Sequence, residues 1–334
     1  MKSFNVAIIG ATGAVGREMI KVLEERKFPV KELVLLASKR SVGIKIPFCG
    51  KEIEVKELTH DSFTNIDIVL GATPNPISKE FAPSIVKAGA LFIDNSSSFR
   101  MDDNVPLVVP EINPEDAFNH KGIIANPNCS TIISLVAINA INKLSEITAI
   151  NASTYQATSG AGAGGPIELM EQVKALQEGK EVQPKVFAHQ IAYNVIPHIG
   201  SFLDNGYTSE EMKMQNEGRK IMHLPSLKVT CTCVRVPVIR SHSISLTVVT
   251  KDKLDIDDVK KAIAKEKGCV LADDPLNNVY PMPKDTSDQD EVFVGRIRQS
   301  IVNENGIALW CYGDQVRKDA ATNAIQIAEL FLSR

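Results

Sequence analysis

The chain is short of cysteine, of net charge and of long apolar runs. Six cysteines (Cys49, Cys129, Cys231, Cys233, Cys269 and Cys311) in 334 residues lack the density of a disulfide scaffold and suit a reducing, cytoplasmic setting. Cys231 and Cys233 stand two apart, but no second Cys or His pair follows at zinc spacing, and Leu227 to Val236 alternates like a strand. No metal site is expected. With 37 basic and 40 acidic side chains the net charge is −3, which gives no general attraction for nucleic acid or anionic lipid, although a local basic cluster can still grip a small anion. No apolar run approaches the roughly 18 residues of a membrane span, and the start, Met1 to Asn5, passes through apolar residues straight to glycines. Neither a signal peptide nor a span is expected. What remains is a soluble, globular composition, 44% hydrophobic and 23% charged, long enough for two domains.

As far as residue 127, short apolar runs alternate with helical stretches. Val6–Ile9, Leu33–Ala37, Ile66–Gly71 and Leu91–Asp94 read as strands, and Val15–Glu25 and Ser78–Ala88 as helices. That alternation predicts βαβ units and a parallel sheet. After Asn128 a long apolar helix, Thr131–Leu144, leads to strand-like text at Ala149–Ala157 and a glycine-rich stretch, Ser159–Gly165. Pro166 suits a first helical position, with Ile167, Met170, Val173 and Leu176 at helical spacing behind it. Strand candidates at Lys228–Val236, Ser243–Thr250 and Ile307–Tyr312 predict an α+β second domain with a mostly antiparallel sheet, and Gln315–Leu332 reads as one helix.

The first strand ends in Gly10-Ala11-Thr12-Gly13-Ala14-Val15-Gly16 and a helix follows. Glycines there let the backbone turn tightly and approach a pyrophosphate, whose charge meets the N–H groups and dipole of the helix start. Bare Gly-x-x-Gly-x-x-Gly is a weak signal; its place at the first βα turn makes it a strong one. At the end of the second strand, where an NAD enzyme usually carries an acid for the ribose, stands Ala37-Ser38-Lys39-Arg40-Ser41. No carboxylate is present to repel a 2′-phosphate, and Arg40 can fork onto one, so NADP is expected. The plain alternative is a solvated basic turn.

Cys129, in Asn126-Pro127-Asn128-Cys129, opens the long helix with Asn128 as a candidate N-cap. A helix dipole favours thiolate, the nucleophilic form; an inert buried cysteine is the competing reading. A base must come from His60, His120, His189, His198, His223 or His242, among which composition cannot choose. His242 stands out for the density of cations around it, in Arg235-Val-Pro-Val-Ile-Arg240-Ser-His242. Arg100, past a strand end, and Glu210-Glu-Met-Lys213, at a helix start, are further candidates for an anionic ligand, each singly explicable as a solvated charge.

Taken together, Gly10–Gly16, Ala37–Ser41, Asn126–Cys129, Gln156 with Ser159-Gly160, Glu210–Lys213 and Arg235–His242 follow one family's order and spacing. The chain resembles the bacterial aspartate-β-semialdehyde dehydrogenases over nearly its whole length. The resemblance implies an α/β fold, with an NADP-binding Rossmann domain over 1–127 that regains the C-terminal helix at 313–334, and a catalytic and dimerisation domain over 128–312. It implies NADP-dependent conversion of L-aspartyl-4-phosphate to L-aspartate-4-semialdehyde, and the reverse with phosphate, on the route to lysine, threonine, methionine and diaminopimelate. Cys129 would be the nucleophile, with Asn128 beside it, His242 the acid/base and Gln156 an orienting residue. Arg235 would hold the substrate carboxylate, Glu210 would lie near its ammonium, and Arg100 and Lys213 would bind phosphate. Gly10, Thr12, Gly13, Ala14, Val15, Ser38, Arg40, Ser41, Ser159, Gly160 and Gln315 would line the cofactor site. Gln315 departs from the asparagine the family pattern leads one to expect, while keeping the amide. A homodimer or homotetramer is expected, with no nucleic acid or membrane partner. A sister acyl-phosphate or acyl-glutamate semialdehyde reductase would share the Cys and His scheme but read its carboxylate differently. A non-enzymatic NADP-binding regulator would have no use for Cys129 and His242.

Overall fold

The computed structural model describes residues 3–332. It forms two compact units, one running to Asn128 and resuming at Asp319, the other Cys129–Lys318. The first unit carries strands β1 (Phe4–Ile9), β2 (Val30–Ala37), β3 (Lys45–Phe48), β4 (Lys51–Glu57), β5 (Ile68–Gly71), β6 (Leu91–Asp94) and β7 (Ile123–Ala125), with helices α1 (Ala14–Glu25) and α2 (Asn75–Lys87). The sheet order is β3-β4-β2-β1-β5-β6-β7, and all pairs except β3 with β4 are parallel. Strands covered on both faces need no polar alternation, which is why β1 and β5 read as continuous apolar runs. From β1 the chain goes to β2 on one side and later to β5 on the other. That reversal opens a crevice at the C-terminal end of β1, where Gly10 begins.

The expected alternation misses the β3–β4 hairpin. Five of the seven residues of β4 are charged, β3 is only four residues long, and the turn, Cys49-Gly50, has φ of +48° and +74°, the mirror-image geometry that suits a two-residue hairpin. The C-terminal helix, Asn323–Glu329, buries Ala324, Ile325, Ile327 and Ala328 in the same core as β1 and α1, and Glu329 takes a forked pair of bonds from Arg26 at 2.8 and 2.7 Å. The predicted single helix over 315–332 begins instead as a wide π turn at Arg317–Thr322. The return to the first unit falls at Asp319 rather than 313, because Gly313 and Gln315 bond within the second unit.

In the second unit α3 (Cys129–Leu144) is followed by β8 (Ile147–Gln156), α4 (Gly164–Gln177), α5 (Ser209–Ile221), β9 (Lys228–Arg235), β10 (His242–Thr250), α6 (Ile256–Lys265), β11 (Cys269–Leu271), the short α7 (Pro283–Thr286), β12 (Val292–Gln299) and β13 (Gly306–Gly313). The sheet runs β11-β12-β13-β10-β8-β9, with three antiparallel pairs and two parallel ones, β8–β9 and β11–β12. Helix α3 packs on β10, β12 and β13, and is buried nearly all round, as its apolar composition requires. Helix α4 begins two residues before Pro166, and its inward face is not the apolar stripe the spacing suggests. Ile167 and Met170 are exposed, while Glu168 and Gln172 are buried, accepting backbone N–H groups from Lys185, Val186, Ile191 and Ala192. Four otherwise orphaned donors outweigh two apolar side chains there. Among the described residues no helix is long and apolar enough to cross a membrane, and no cluster of three His, Cys, Asp or Glu could hold a metal ion.

Candidate active site

In the first unit the glycine turn has the shape a phosphate needs. Gly10 has φ +80°, and a Cβ there would lie 2.3 Å from the carbonyl oxygen of Ala72; one on Gly16 would lie 2.3 Å from that of Gly10. These two glycines are demanded by the fold itself. At exposed Gly13 the nearest atom to a Cβ is 3.3 Å away, so what the missing side chain mainly leaves is open backbone at the start of α1. The helix receives no side-chain cap and has no acid in its first turn, so its leading N–H groups are available to an anion. Residues Gly10, Thr12, Gly13, Ala14 and Val15 therefore fit a dinucleotide pyrophosphate. The Lys39–Ser41 turn follows β2 with Ser38 and Arg40 exposed, and the Ser41 hydroxyl stands 3.4 Å from that of Thr12, which ties the two cofactor-loop candidates together. Arg100 is 7% exposed; its Nε donates to the Asn126 carbonyl at 2.9 Å and Nη2 to the Asn95 carbonyl at 2.8 Å. Asn126 is held in turn by Asn323, and Asn128 is buried.

The second unit gathers the remaining candidates at one end of its sheet. Gln156 ends β8 and is paired in register with Arg235 at the end of β9, while His242 opens antiparallel β10 opposite Gly313 at the end of β13. Cys129 is half-buried and is the first residue of α3, which sets its thiol at a helix N-terminus. Cys231 and Cys233 are buried with sulfurs 3.8 Å apart, and that contact together with burial pushes the Cys233 thiol up, away from reactivity. They lie in β9, as the strand pattern predicts.

Helix α5 is started by a capping box, in which Thr208 accepts from the Glu211 N–H at 3.3 Å and the Glu211 carboxylate accepts from the Thr208 N–H at 2.7 Å. Glu211 also takes the Cys233 N–H at 2.9 Å, which fixes the helix against β9. That start sets Glu210 and Lys213 one turn apart on one face: Lys213 Nζ bonds Glu210 Oε2 at 2.8 Å, and Gln156 Nε2 donates to Glu210 Oε1 at 3.3 Å. The Gln156 amide is oriented by Thr154, whose hydroxyl donates to its oxygen at 3.0 Å.

Arg235 is buried, donating Nη1 to the Ala157 carbonyl at 2.6 Å with its guanidinium 5.9 Å from the Phe187 ring centre. Burial lowers its pKa, opposed by the electrostatic pull of Cys129 and Glu210, so these three groups share one field. His242 is fully buried, and its Nδ1 accepts the Ala157 N–H at 3.1 Å. A neutral ring held that way carries its proton on Nε2, and Nε2 has no hydrogen-bond partner among the described residues. Burial, helped by the Arg235 charge and partly offset by Glu210, brings the His242 pKa down to about 3. Exposed Gly160 completes the wall, since a Cβ there would come 2.7 Å from Arg235 Nη1 and 3.0 Å from His242 Cε1. Gln315 is 5% exposed, its amide engaged by Ser241 and Ser159. Sequence reasoning missed Ala157, which acts through its backbone, and the roles of Thr154 and Ser241; none of these carries a residue-type signal.

Two family models match the chain: "Semialdehyde dehydrogenase, NAD binding domain" over residues 5–120 and "Semialdehyde dehydrogenase, dimerisation domain" over 138–318. The aspartate-semialdehyde dehydrogenase of Aquifex aeolicus is 52% identical, with 98% of each chain covered, and that of Bacillus subtilis 46% identical, with 98% of this chain and 97% of its own covered. Among solved structures, aspartate semialdehyde dehydrogenase II from Vibrio cholerae complexed with ASA is 45% identical, with a TM-score of 0.97 over 100% of this chain and 99% of its own. With family models for the NAD-binding and dimerisation domains covering most of the chain, and relatives of this closeness, the chain is an oxidoreductase and belongs to the aspartate-semialdehyde dehydrogenase family.

Proposed function

We propose that the chain catalyses the NADP-dependent interconversion of L-aspartyl-4-phosphate and L-aspartate-4-semialdehyde through a Cys129 thioester, supplying lysine, threonine, methionine and diaminopimelate synthesis in the cytoplasm. The observation that carries this reading is the placing of a buried guanidinium and a neutral imidazole on the backbone of Ala157, with a carboxylate bonded to Gln156 beside them and the helix-start thiol in the field of the guanidinium. In the reductive direction the Cys129 thiolate attacks the acyl carbon, a C–S bond forms, the C–O bond to phosphate breaks and phosphate leaves. Bound NADP supplies one thing, a hydride donor or acceptor at that carbon. The tetrahedral species then collapses, the C–S bond breaking to free the aldehyde and return the electron pair to Cys129. His242, as general acid/base, works at the substrate oxygen through Nε2, where the Ala157 N–H on Nδ1 keeps the resting proton, shared with that oxygen as charge develops.

Arg235 offers a fork to the α-carboxylate and Glu210 a counter-charge for the ammonium, a division that suits an amino-acid head group better than an acylated one. Lys213, bridged to Glu210, is the second-unit cation for phosphate. Gln156 orients the acyl group. Gly10 to Val15 take the pyrophosphate, and Arg40 with Ser38 and Ser41 takes the 2′-phosphate. The family's dimerisation domain, together with exposed Ile167, Met170, Tyr193 and Phe202 in the second unit, supports a homodimer or homotetramer.

The deciding experiment is an assay of phosphate-dependent reduction of NADP and NAD with aspartate semialdehyde, set beside N-acetylglutamate semialdehyde. Preference for the acetylated substrate would replace this reading by that of the sister reductase, and no reduction with either would leave a binding protein.

A further inference from the structure

The three residues that end in His242 are each fastened to one short segment. His242 pairs with Gly313 across the sheet, the Arg240 Nε lies 2.7 Å from Asp314 Oδ2, and the Ser241 N–H donates to Gln315 Oε1 at 2.7 Å. Asp314 is fully buried and Gln315 5% exposed, so this is an internal clamp.

At its centre the backbone is held in an unfavourable conformation. Ser241 has φ +83°, a region that non-glycine residues seldom occupy and that persists only where the surroundings enforce it. Ser241 is 1% exposed, and its hydroxyl bonds that of Ser287 at 2.8 Å. Its φ sets the direction in which the chain enters β10, and so where the His242 side chain leaves the backbone.

Gln315 grips the other side of the ring as well. Its Nε2 donates to the Ser159 hydroxyl, and Ser159 lies between Ala157, whose N–H fixes His242 Nδ1, and Gly160, whose missing side chain makes room for the ring. One buried amide therefore joins the segment that carries the imidazole to the segment that receives it.

We propose that Gln315 is a positioning residue for His242, acting through the left-handed backbone of Ser241 and through Ser159. The proposal rests on the acid/base reading of His242.

The test is a double-mutant cycle in the full-length enzyme, measured with aspartate semialdehyde, phosphate and NADP. Gln315→Leu should lower kcat by about ten- to a hundredfold in the wild-type background and by less than about twofold in a His242→Asn background, since a residue acting through another has nothing left to position once that other is gone. Gln315→Glu, which keeps an acceptor for the Ser241 N–H, should recover most of the lost turnover. Equal losses in both backgrounds, or a raised NADP KM with kcat intact, would overturn the proposal. Full turnover in His242→Asn alone would instead remove the acid/base reading beneath it. Should Gln315→Leu not fold, Gln315→Asn, one methylene shorter, enters the same cycle under the same criteria.

Discussion

The N–H of Ala157 lies 3.1 Å from Nδ1 of His242, and this bond determines which nitrogen of a fully buried imidazole keeps the proton. The ring is neutral in the folded chain, with its pKa brought down by burial to about 3 from 6.5. Between those values the unfolded chain binds a proton that the native one refuses. The native state is therefore fully favoured above pH 6.5 and loses stability as pH falls through that window, by up to about 1.4 kcal/mol per pH unit. Urea unfolding at pH 7 and pH 5 should show wild type losing stability relative to His242→Asn as pH falls. Parallel losses would mean that His242 is not buried neutral.

Gly160→Ala tests the packing of the same wall. The added methyl would meet Arg235 and the His242 ring below ordinary contact distance, although Gly160 itself is exposed. Turnover should fall at least about tenfold from misorientation, while the thermal midpoint moves little. An equally active variant would show that the ring and guanidinium have room to move.

Cys129→Ala should lose about 10³-fold or more in turnover and still bind NADP. Mass spectrometry of the wild type with acyl phosphate and no reductant should place a single adduct on Cys129. Substantial activity in the variant, or an adduct on another of the six cysteines, would refute its role as nucleophile.

Arg40→Ala should weaken NADP binding on the order of ten- to a hundredfold and leave NAD nearly unchanged, the range of a charge-assisted hydrogen bond. Titration with both cofactors decides this. Equal losses would mean that Arg40 never meets the 2′-phosphate.

Arg235→Lys should impair turnover at every phosphate concentration, because a lysine supplies charge without the fork. Lys213→Ala should mainly raise the phosphate KM in the oxidising direction, with a smaller effect on semialdehyde through the loss of its bond to Glu210. A raised phosphate KM in Arg235→Lys with none in Lys213→Ala would exchange the two roles.

The glycine turn, the basic turn after β2 and the cysteine at the head of an apolar helix were legible in the sequence because each signal is local: a backbone conformation, a charge beside a strand end, a helix start. The parallel sheet was legible for a related reason, since strands buried on both faces must be apolar throughout. The β3–β4 hairpin was not, because an edge hairpin's charged text looks like loop, and the buried side of α4 was misread because the hydrogen bonds that bury Glu168 and Gln172 come from residues up to 20 positions away. Composition left six histidines on equal terms. Only the tertiary structure put one of them, fully buried, on the Ala157 N–H and within the field of Arg235 and Glu210, because tautomer and pKa are set by burial and by partners that meet through strand pairing rather than along the chain. Gln315 is a similar case: its hydrogen bonds to residues 74 and 156 positions earlier come together only through the fold, and no local signal announces them.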